Sequence, residues 1–403
     1  MGKELLKNIN IQFVMKLLTF LMPVTVIVSI PFISGSQYFW FMFLITVIYN
    51  IYLISINFKN YLYKYKWEIL FIVSCLVSVL LNFNYKNIYS IVSVIMTAIL
   101  IFNFIIVYPK LTKEQMEFEN YSIDYLLLIF TFIMGLLSII IFINNPINIV
   151  KGERFIGAYS NSNQLGFWAF ISFIISFKYL KNKIIIVNIL LELVLIILAG
   201  SRSVFIATSF FVIYTLFKKV DFKSPKNIYV FLMSIVFFVL LIIITTFTRY
   251  QWLYKYIKDM EFKEILNTLS GYRYYIWKEV LEIFYKFPIF GIGPNNVNNA
   301  AKLVLAENSM LITGGWEDPH NIVIALLTYT GLIGTLLFIK ILYDKFKVII
   351  ENKSDYLLIS IICLLVISLF DIGIVFDNRI LSVYFWYLIG QANLMRYKND
   401  EEN

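Results

Sequence analysis

The only histidine of the chain and most of its few arginines are the residues best suited to chemistry on an anionic substrate. His320 stands in Glu317-Asp-Pro-His-Asn321, just before a long apolar run. A neutral imidazole can accept a proton near pH 7. A guanidinium can bind two oxygens of a phosphate at once. Together these residue types indicate a site that binds an anion and can accept a proton.

Arginine is scarce, because the chain has 28 lysines and only six arginines. Such a sequence uses lysine wherever any positive charge suffices, and arginine where a planar, always-charged fork is needed. All but Arg396 fall in segments that we predict to face the outside of a membrane: Arg154, Arg202, Arg249, Arg273 and Arg379. Snorkelling and loop ion pairs are the alternative explanation for some of them. The outer face is therefore predicted to bind an anion.

Four segments interrupt the apolar pattern, and all of them map to the outer side. They are residues 154–166, 199–203, 270–294 and 317–321. Asn161 or Ser162 is suited to cap the helix that the first segment enters. Residues 272–287 are predicted to form an amphipathic helix, which the Pro and Gly residues of 288–294 then end.

The neighbouring residues also predict the local structure at His320 and at Arg202. Asp318 and Pro319 are typical of an N-cap and a first helical residue, so His320 is predicted to lie in the first turn of a helix. A helix N-terminus disfavours imidazolium, and His320 should therefore stay neutral. An interfacial histidine bound to loop backbone is the alternative. Arg202 lies at a turn so tight that it must sit near the hydrocarbon boundary, where an arginine is costly unless it is paired.

The elements that position these segments are membrane helices. The chain has 403 residues, of which 60% are hydrophobic and 15% charged, and its mean hydropathy is +0.79. A soluble domain of this length could not bury so much apolar surface. We predict an all-α, polytopic membrane protein with about twelve transmembrane helices. The predicted spans are 11–31, 37–57, 67–84, 87–108, 123–143, 163–180, 184–200, 203–217, 226–247, 319–342, 355–375 and 380–396.

Three further features follow from these spans. The first apolar run lacks a small-residue cleavage site, so it is expected to be a permanent helix. Cys75 and Cys363 lie inside predicted spans, so neither a disulfide nor a cysteine-based metal site is expected. Glu192 and Asp371 are intramembrane acids, which usually face a bundle interior or a wet cavity. Asp371 is placed to border the active-site cavity, but neither acid is predicted to be catalytic.

The basic residues set the orientation of the chain. With the N-terminus inside, the predicted cytoplasmic segments hold 20 lysines and arginines and the short outer loops hold five. This imbalance predicts that both termini are cytoplasmic. The chain is then one transmembrane domain, 1–403, with a large extracytoplasmic loop, 248–318, between helices 9 and 10. The net charge of +9 is mostly this orientation signal, so no nucleic-acid partner is expected.

In their order and spacing the four segments resemble the O-antigen ligase and polysaccharide polymerase family of membrane glycosyltransferases. The matching pieces are Gly157 to Gly166 with its Asn-Gln-Leu-Gly, Gly200-Ser-Arg-Ser203, Gly271-Tyr-Arg273 with Trp277, Pro288-Ile-Phe-Gly-Ile-Gly-Pro294, Pro319-His-Asn321 and Tyr329-Thr-Gly-Leu-Ile-Gly334. The resemblance covers residues 150–340. It implies a GT-C-like fold with a helical outer loop, and inverting, metal-independent transfer from undecaprenyl-pyrophosphate-linked glycans.

The resemblance also implies roles for single residues. Arg202 and Arg273 would bind the pyrophosphate of the donor, and His320 would act as base toward the acceptor hydroxyl. Residues expected to bind substrate are Arg154, Asn163, Tyr272, Trp277, Asn321 and Arg379. No metal or cofactor is expected, because the outer acids are scattered without an Asp-x-Asp pair: Glu153, Glu261, Glu279, Glu282, Glu317, Asp318 and Asp377.

The expected partners and location follow from the same resemblance. The partners are the undecaprenyl-pyrophosphate-linked glycan donor and acceptor, the lipid bilayer, and the flippase and chain-length regulator of the same pathway. The expected location is the bacterial cytoplasmic membrane, with the active site on its outer side.

The predicted function is polymerisation of lipid-linked repeat units into capsular polysaccharide, exopolysaccharide or O-antigen, and three alternatives stay open. The first is an O-antigen-ligase-type enzyme, which differs from a polymerase only in its acceptor. The chain is rich in lysine and poor in arginine, as is typical of AT-rich bacterial genomes, and this composition favours a capsule or exopolysaccharide polymerase by association. A flippase for the lipid-linked unit is the second alternative. A two-halves transporter, however, should show related halves, and its longest loop is often cytoplasmic. A non-catalytic sugar-binding membrane protein would not need a uniquely placed histidine.

Overall fold

The computed structural model describes residues 44–48, 51–52, 64–82, 88–107, 113–144, 146, 154–180, 183–219, 264, 273–314, 318–371, 374–376 and 380–402. These residues form helices and connecting segments and contain no β-strand. We number the helices in chain order: α1 Lys66–Leu81, α2 Ile88–Ile101, α3 Lys113–Asn144, α4 Ser162–Lys178, α5 Lys183–Ala199, α6 Arg202–Lys219, α7 Arg273–Lys286, α8 Val297–Val304, α9 Met310–Thr313, α10 Ile322–Glu351, α11 Asp355–Ser368 and α12 Ile380–Glu402. Residues Phe102–Val107 extend α2 as a π-helix.

Nine of the twelve predicted spans fall on described residues, and each overlaps a helix. Spans 11–31 and 226–247 lie outside the described residues, as does most of span 37–57, in which residues 44–48 and 51–52 are helical. The number of spans therefore stays a prediction. The amphipathic helix predicted over 272–287 is confirmed as α7, with Ile276, Val280 and Ile283 buried.

Apolar helix faces identify the chain as a helical membrane protein. Within the described residues, three helical stretches are long and apolar enough to cross a membrane: Ile88–Ile105, Ile123–Asn144 and Ile322–Glu351. On α3, Ile129, Ile133, Leu136 and Ile140 are exposed and share one face at helical spacing. Soluble proteins rarely expose so continuous an apolar face, whereas lipid covers it without cost.

Helices α4 and α12 form the centre of the described bundle. In α4, Ser162 and every residue from Gln164 to Ser176 are buried, and in α12 residues 380–390 are buried. A helix that is buried all round must be surrounded by other helices. The polar first turn of α4, which carries Asn163, therefore lies near the middle of one end of the bundle.

Helix α10 is broken at Gly331, whose φ of 65° and ψ of −169° are not helical. A Cβ atom added at Gly331 would lie 2.2 Å from the carbonyl oxygen of Ile289. The segment 288–293 thus crosses the break at a distance that only glycine allows. The predicted span 319–342 is therefore not one continuous helix.

Segment 288–293 also satisfies the backbone groups that the break leaves open. Its hydrogen bonds run from Ile292 N to Thr328 O, from Gly293 N to Tyr329 O and from Leu332 N to Pro288 O, at 2.8–2.9 Å. The Ser78 hydroxyl of α1 donates to Tyr329 O at 2.5 Å, and the amide of Asn82, the residue that follows α1, donates to Gly291 O at 2.9 Å. Non-helical backbone at membrane depth is tolerated only where protein supplies such partners. The Pro/Gly motif after α7 therefore completes α10.

Two ion pairs lie at the opposite end of the bundle. Lys345 Nζ lies 2.7 Å from Glu68 Oε1, and Lys178 Nζ lies 2.7 Å from Asp124 Oδ2. Both carboxylates are buried. Pairing is what makes such charges tolerable inside a membrane protein. Cys75 and Cys363 are free and buried, within α1 and α11.

Candidate active site

The described site candidates lie at helix ends on one side of the bundle. Helices α4, α6 and α10 begin there, and α5 and α11 end there. The chain reverses between α5 and α6, so the end of α5 lies beside the start of α6. It reverses again between α10 and α11, so the end of α11 returns to the side on which α10 starts. Hydrogen bonds between these ends, described below, show that they meet.

Arg154 ties two of these helix ends together. Its Nε donates to Ala199 O at 2.9 Å, and its terminal nitrogen donates to Asn163 Oδ1 at 2.6 Å. Ala199 is the last residue of α5, where a cation is favoured by the helix dipole. Arg154 and Asn163, both predicted to bind substrate, therefore hydrogen-bond to each other. Asn161 caps α4 by accepting from Gln164 N at 2.9 Å, which confirms one of the two predicted caps.

Arg202 is the first residue of α6 and is partly buried. The turn before it contains Gly200 in the left-handed region, with φ of 59°. A Cβ atom at Gly200 would lie 3.7 Å from Arg154 Cγ, so the two residues pack against each other. The tight turn predicted from the sequence is confirmed. The Arg154 side chain packs against this turn and hydrogen-bonds to Ala199 O within it.

His320 does not lie in a helix, and this prediction was wrong. Helix α10 begins at Ile322, and Asn321 is its N-cap, with Oδ1 accepting from Val323 N and Ile324 N at 3.0 and 3.2 Å. His320 lies just before the cap, in the left-handed region with φ of 47°. The expectation that the first helical turn keeps His320 neutral therefore loses its basis.

Asp318 has a different role from the predicted cap. Its Oδ1 accepts from the backbone N–H of His320 at 3.1 Å and lies 3.2 Å from His320 Nδ1. A short side chain that bonds backbone two residues on stabilises a tight turn. The same carboxylate lies beside the imidazole, so it acts on both the backbone and the ring of His320.

Trp277 connects α7 to the His320 loop. Its Nε1 donates to Pro319 O at 2.8 Å. Arg273 begins α7 and lies one helical turn before Trp277, so the two residues share a face of the helix. The structure therefore brings the helix that carries Arg273 against the loop that carries His320.

Asp371 belongs to this site, although we predicted it only as a border of the cavity. Asn163 Nδ2 makes a long contact of 3.5 Å with Asp371 Oδ2, and Asn321 Nδ2 donates to Leu369 O at 3.1 Å. The segment after α11 thus touches the start of α4 and the start of α10. Asp371 follows the end of α11 and is buried. Its place at the end of an apolar run was the only sequence signal for it.

Tyr159 is a buried titratable side chain on the segment that leads into α4. Burial, together with the charge of nearby Glu192, raises its pKa well above the usual value. A phenol with a raised pKa stays protonated and is a poor base. His320 is accordingly the better candidate for proton acceptance.

Some predicted residues fall outside the part of the chain that the structure describes. They are Tyr272, Arg379, Arg249 and the acids Glu153, Glu261, Glu317 and Asp377. Among the described residues there is no group of three or more His, Cys, Asp and Glu side chains that could hold a metal ion. Glu279, one of the outer acids, instead accepts from Met310 N and Leu311 N at 2.8 and 2.9 Å.

Comparison with known proteins agrees with the resemblance. Residues 185–339 match the family model described as O-Antigen ligase. The matched range contains Arg202, Arg273, Trp277 and His320, whereas Arg154 and Asn163 precede it. No curated protein matches the chain.

Proposed function

We propose that the chain transfers glycans from undecaprenyl pyrophosphate to an acceptor sugar, because residues 185–339 match the family model described as O-Antigen ligase. The single observation that supports the proposal most is the bond from Trp277 to Pro319. It joins the helix of Arg273 to the loop of His320, which supports the proposal that a phosphate-binding group and a base belong to one site.

In the proposed reaction Arg202 and Arg273 bind the pyrophosphate of the donor. Negative charge accumulates on this group as its bond to the sugar breaks. Preorganised guanidinium groups stabilise that charge in the transition state, which is the role a metal ion takes in other transferases. We therefore propose that the reaction is metal-independent.

His320 accepts the proton of the acceptor hydroxyl while the oxygen of that hydroxyl attacks the anomeric carbon of the donor sugar. The new C–O bond forms opposite the bond to the pyrophosphate oxygen, which breaks with its electron pair, so the configuration inverts. The proton ends on Nε2 if Nδ1 carries the other ring proton. Asp318, 3.2 Å from Nδ1, favours that tautomer.

The other predicted residues divide into two groups. Arg154, Asn163, Trp277 and Asn321 hydrogen-bond to protein groups, and we propose that they shape the site. Tyr272 and Arg379 stay candidates for substrate contacts.

We further propose a single transmembrane domain of about twelve helices and GT-C-like architecture, with both termini in the cytoplasm. Loop 248–318 would cover the active site on the outer side of the bacterial cytoplasmic membrane. The excess of basic residues in the predicted cytoplasmic segments supports this orientation. The flippase and chain-length regulator of the same pathway are the proposed protein partners.

We favour polymerisation of lipid-linked repeat units over transfer of a finished glycan, on the composition of the chain. Both reactions would use Arg202, Arg273 and His320 in the same way and differ in the acceptor alone. A flippase would need none of the three as reacting groups.

The test supplies purified protein in detergent with defined undecaprenyl-pyrophosphate-linked repeat units, without ATP or an ion gradient. We expect longer lipid-linked glycans with inverted linkages, and no loss of product on addition of EDTA. Product only when a different acceptor is added would identify a ligase. No product with either acceptor, together with movement of the lipid-linked unit across vesicles, would identify a flippase.

A further inference from the structure

Trp277 links two residues to which we have assigned different roles. Side chains four residues apart on a helix have Cβ atoms about 5–6 Å apart, so Trp277 stands directly beside Arg273. Its indole N–H ends on the carbonyl of Pro319, at 2.8 Å, and the next residue is His320. One hydrogen bond therefore connects the helix turn of Arg273 with the backbone of His320.

The His320 loop needs support from outside itself. A left-handed conformation at a residue other than glycine is strained and persists only when surrounding contacts enforce it. Asp318 supports the turn from within the loop. Asn321 ties it to α11, and Trp277 ties it to α7.

Packing and hydrogen bonds hold α7 in place, so the helix can fix the positions of Arg273 and Trp277. One face, formed by Ile276, Val280 and Ile283, has no exposed surface. Glu279 accepts the first N–H groups of α9. After α7 ends, segment 288–293 is bound into the break of α10. The first part of α10, from Asn321 to Thr330, is thus held at both ends by the same stretch of chain.

We propose that Trp277 is a positioning residue that sets the distance between Arg273 and His320. It would thereby align the donor pyrophosphate with the acceptor hydroxyl, and it contacts neither. This inference rests on the proposed function, and it replaces the expectation that Trp277 binds substrate.

The test removes the indole N–H and keeps an aromatic ring, as in Trp277→Phe. We expect kcat for transfer to fall by about 10²-fold, the effect of a displacement near 1 Å at reacting groups, with KM for the lipid-linked donor nearly unchanged. The matched control is Trp386→Phe. Trp386 is buried in α12, and its Nε1 has no hydrogen-bond partner among the described residues.

A second measurement does not depend on activity. The chain has one histidine, so protein labelled in histidine gives a single set of imidazole signals in NMR spectra. We expect Trp277→Phe to shift or broaden these signals in the absence of substrate, and Trp386→Phe to leave them in place. Should Trp277→Phe not fold, Trp277→Tyr, whose hydroxyl lies farther from Cα than the indole N–H and so does not reproduce the bond to Pro319, is measured in the same two ways.

The two measurements separate the possible failures. Unchanged imidazole signals with a loss of transfer would show that Trp277 contacts substrate, which overturns the inference and leaves the proposed function intact. Unchanged signals and unchanged kcat would overturn it as well. Full activity in His320→Ala would instead remove the proposed function, whatever Trp277→Phe does to the histidine signals.

Discussion

At the residue scale, Arg202→Lys tests the proposed binding of the donor pyrophosphate by Arg202 and Arg273. Lysine keeps the positive charge, but an ammonium group cannot bridge two phosphate oxygens as guanidinium does. We expect a loss of about 10²–10³ in kcat, typical of removing one preorganised contact to a developing charge. Arg396→Lys, at the predicted cytoplasmic end of α12, is the matched control. Near-normal transfer in both Arg202→Lys and Arg273→Lys would show that positive potential alone is enough.

Two substitutions distinguish whether His320 acts as a base or only binds the acceptor hydroxyl. His320→Ala should leave the fold and donor binding intact and lower transfer by about 10²–10⁴-fold, the usual contribution of a general base. His320→Gln can still hold a hydroxyl but cannot take its proton, and it should be nearly as impaired. Chain-length analysis of the product measures both. Substantial polymer from His320→Gln would make His320 a binding residue.

The geometry around His320 explains where sequence reasoning failed. Asp318-Pro319 has the residue types of a helix start, and so does Asn321 one step later. In the structure Asp318 is engaged by the backbone of His320, and Asn321 caps the helix. Local preference could not choose between them, because the choice depends on contacts of Pro319 and Asn321 with α7 and α11.

At the element scale, Gly331→Ala tests the broken helix. A Cβ atom there would meet Ile289 O at 2.2 Å, and the positive φ adds strain of about 1–3 kcal/mol. We expect a clear fall in the thermal unfolding temperature in detergent. Gly135→Ala in α3 is the control, since its nearest neighbour, at 2.9 Å, is the end of the flexible Leu191 side chain. Equal unfolding temperatures for the two variants would contradict the importance of the break.

Helix positions were predictable where an apolar run ended in polar residues. Span 184–200 corresponds to Lys183–Ala199, and span 203–217 to Arg202–Lys219. The break at Gly331 was not predicted. Its motif residues were recognised, but only the pairing with segment 288–293, distant in sequence, shows that they interrupt a helix.

At the scale of the whole molecule, reporter fusions test the orientation. A reporter inserted within 255–310 should be extracytoplasmic, and one within 218–226 should be cytoplasmic, because basic residues are retained inside. Reporter activity and accessibility to membrane-impermeant labels measure this. The reverse arrangement would place Arg202, Arg273 and His320 on the wrong side for a lipid-linked donor.

The break in α10 also has a consequence for biogenesis. Segment 288–293 leaves the ribosome shortly before residues 328–333, so both sides of the break enter the membrane in quick succession. Ser78 of α1 and Asn82 directly after it are made much earlier, yet they donate hydrogen bonds to the carbonyls of Tyr329 and Gly291. Helix α1 therefore waits in the bilayer until the late part of the chain arrives. A nascent chain that stops before α10 leaves Ser78 without the acceptor that Tyr329 provides.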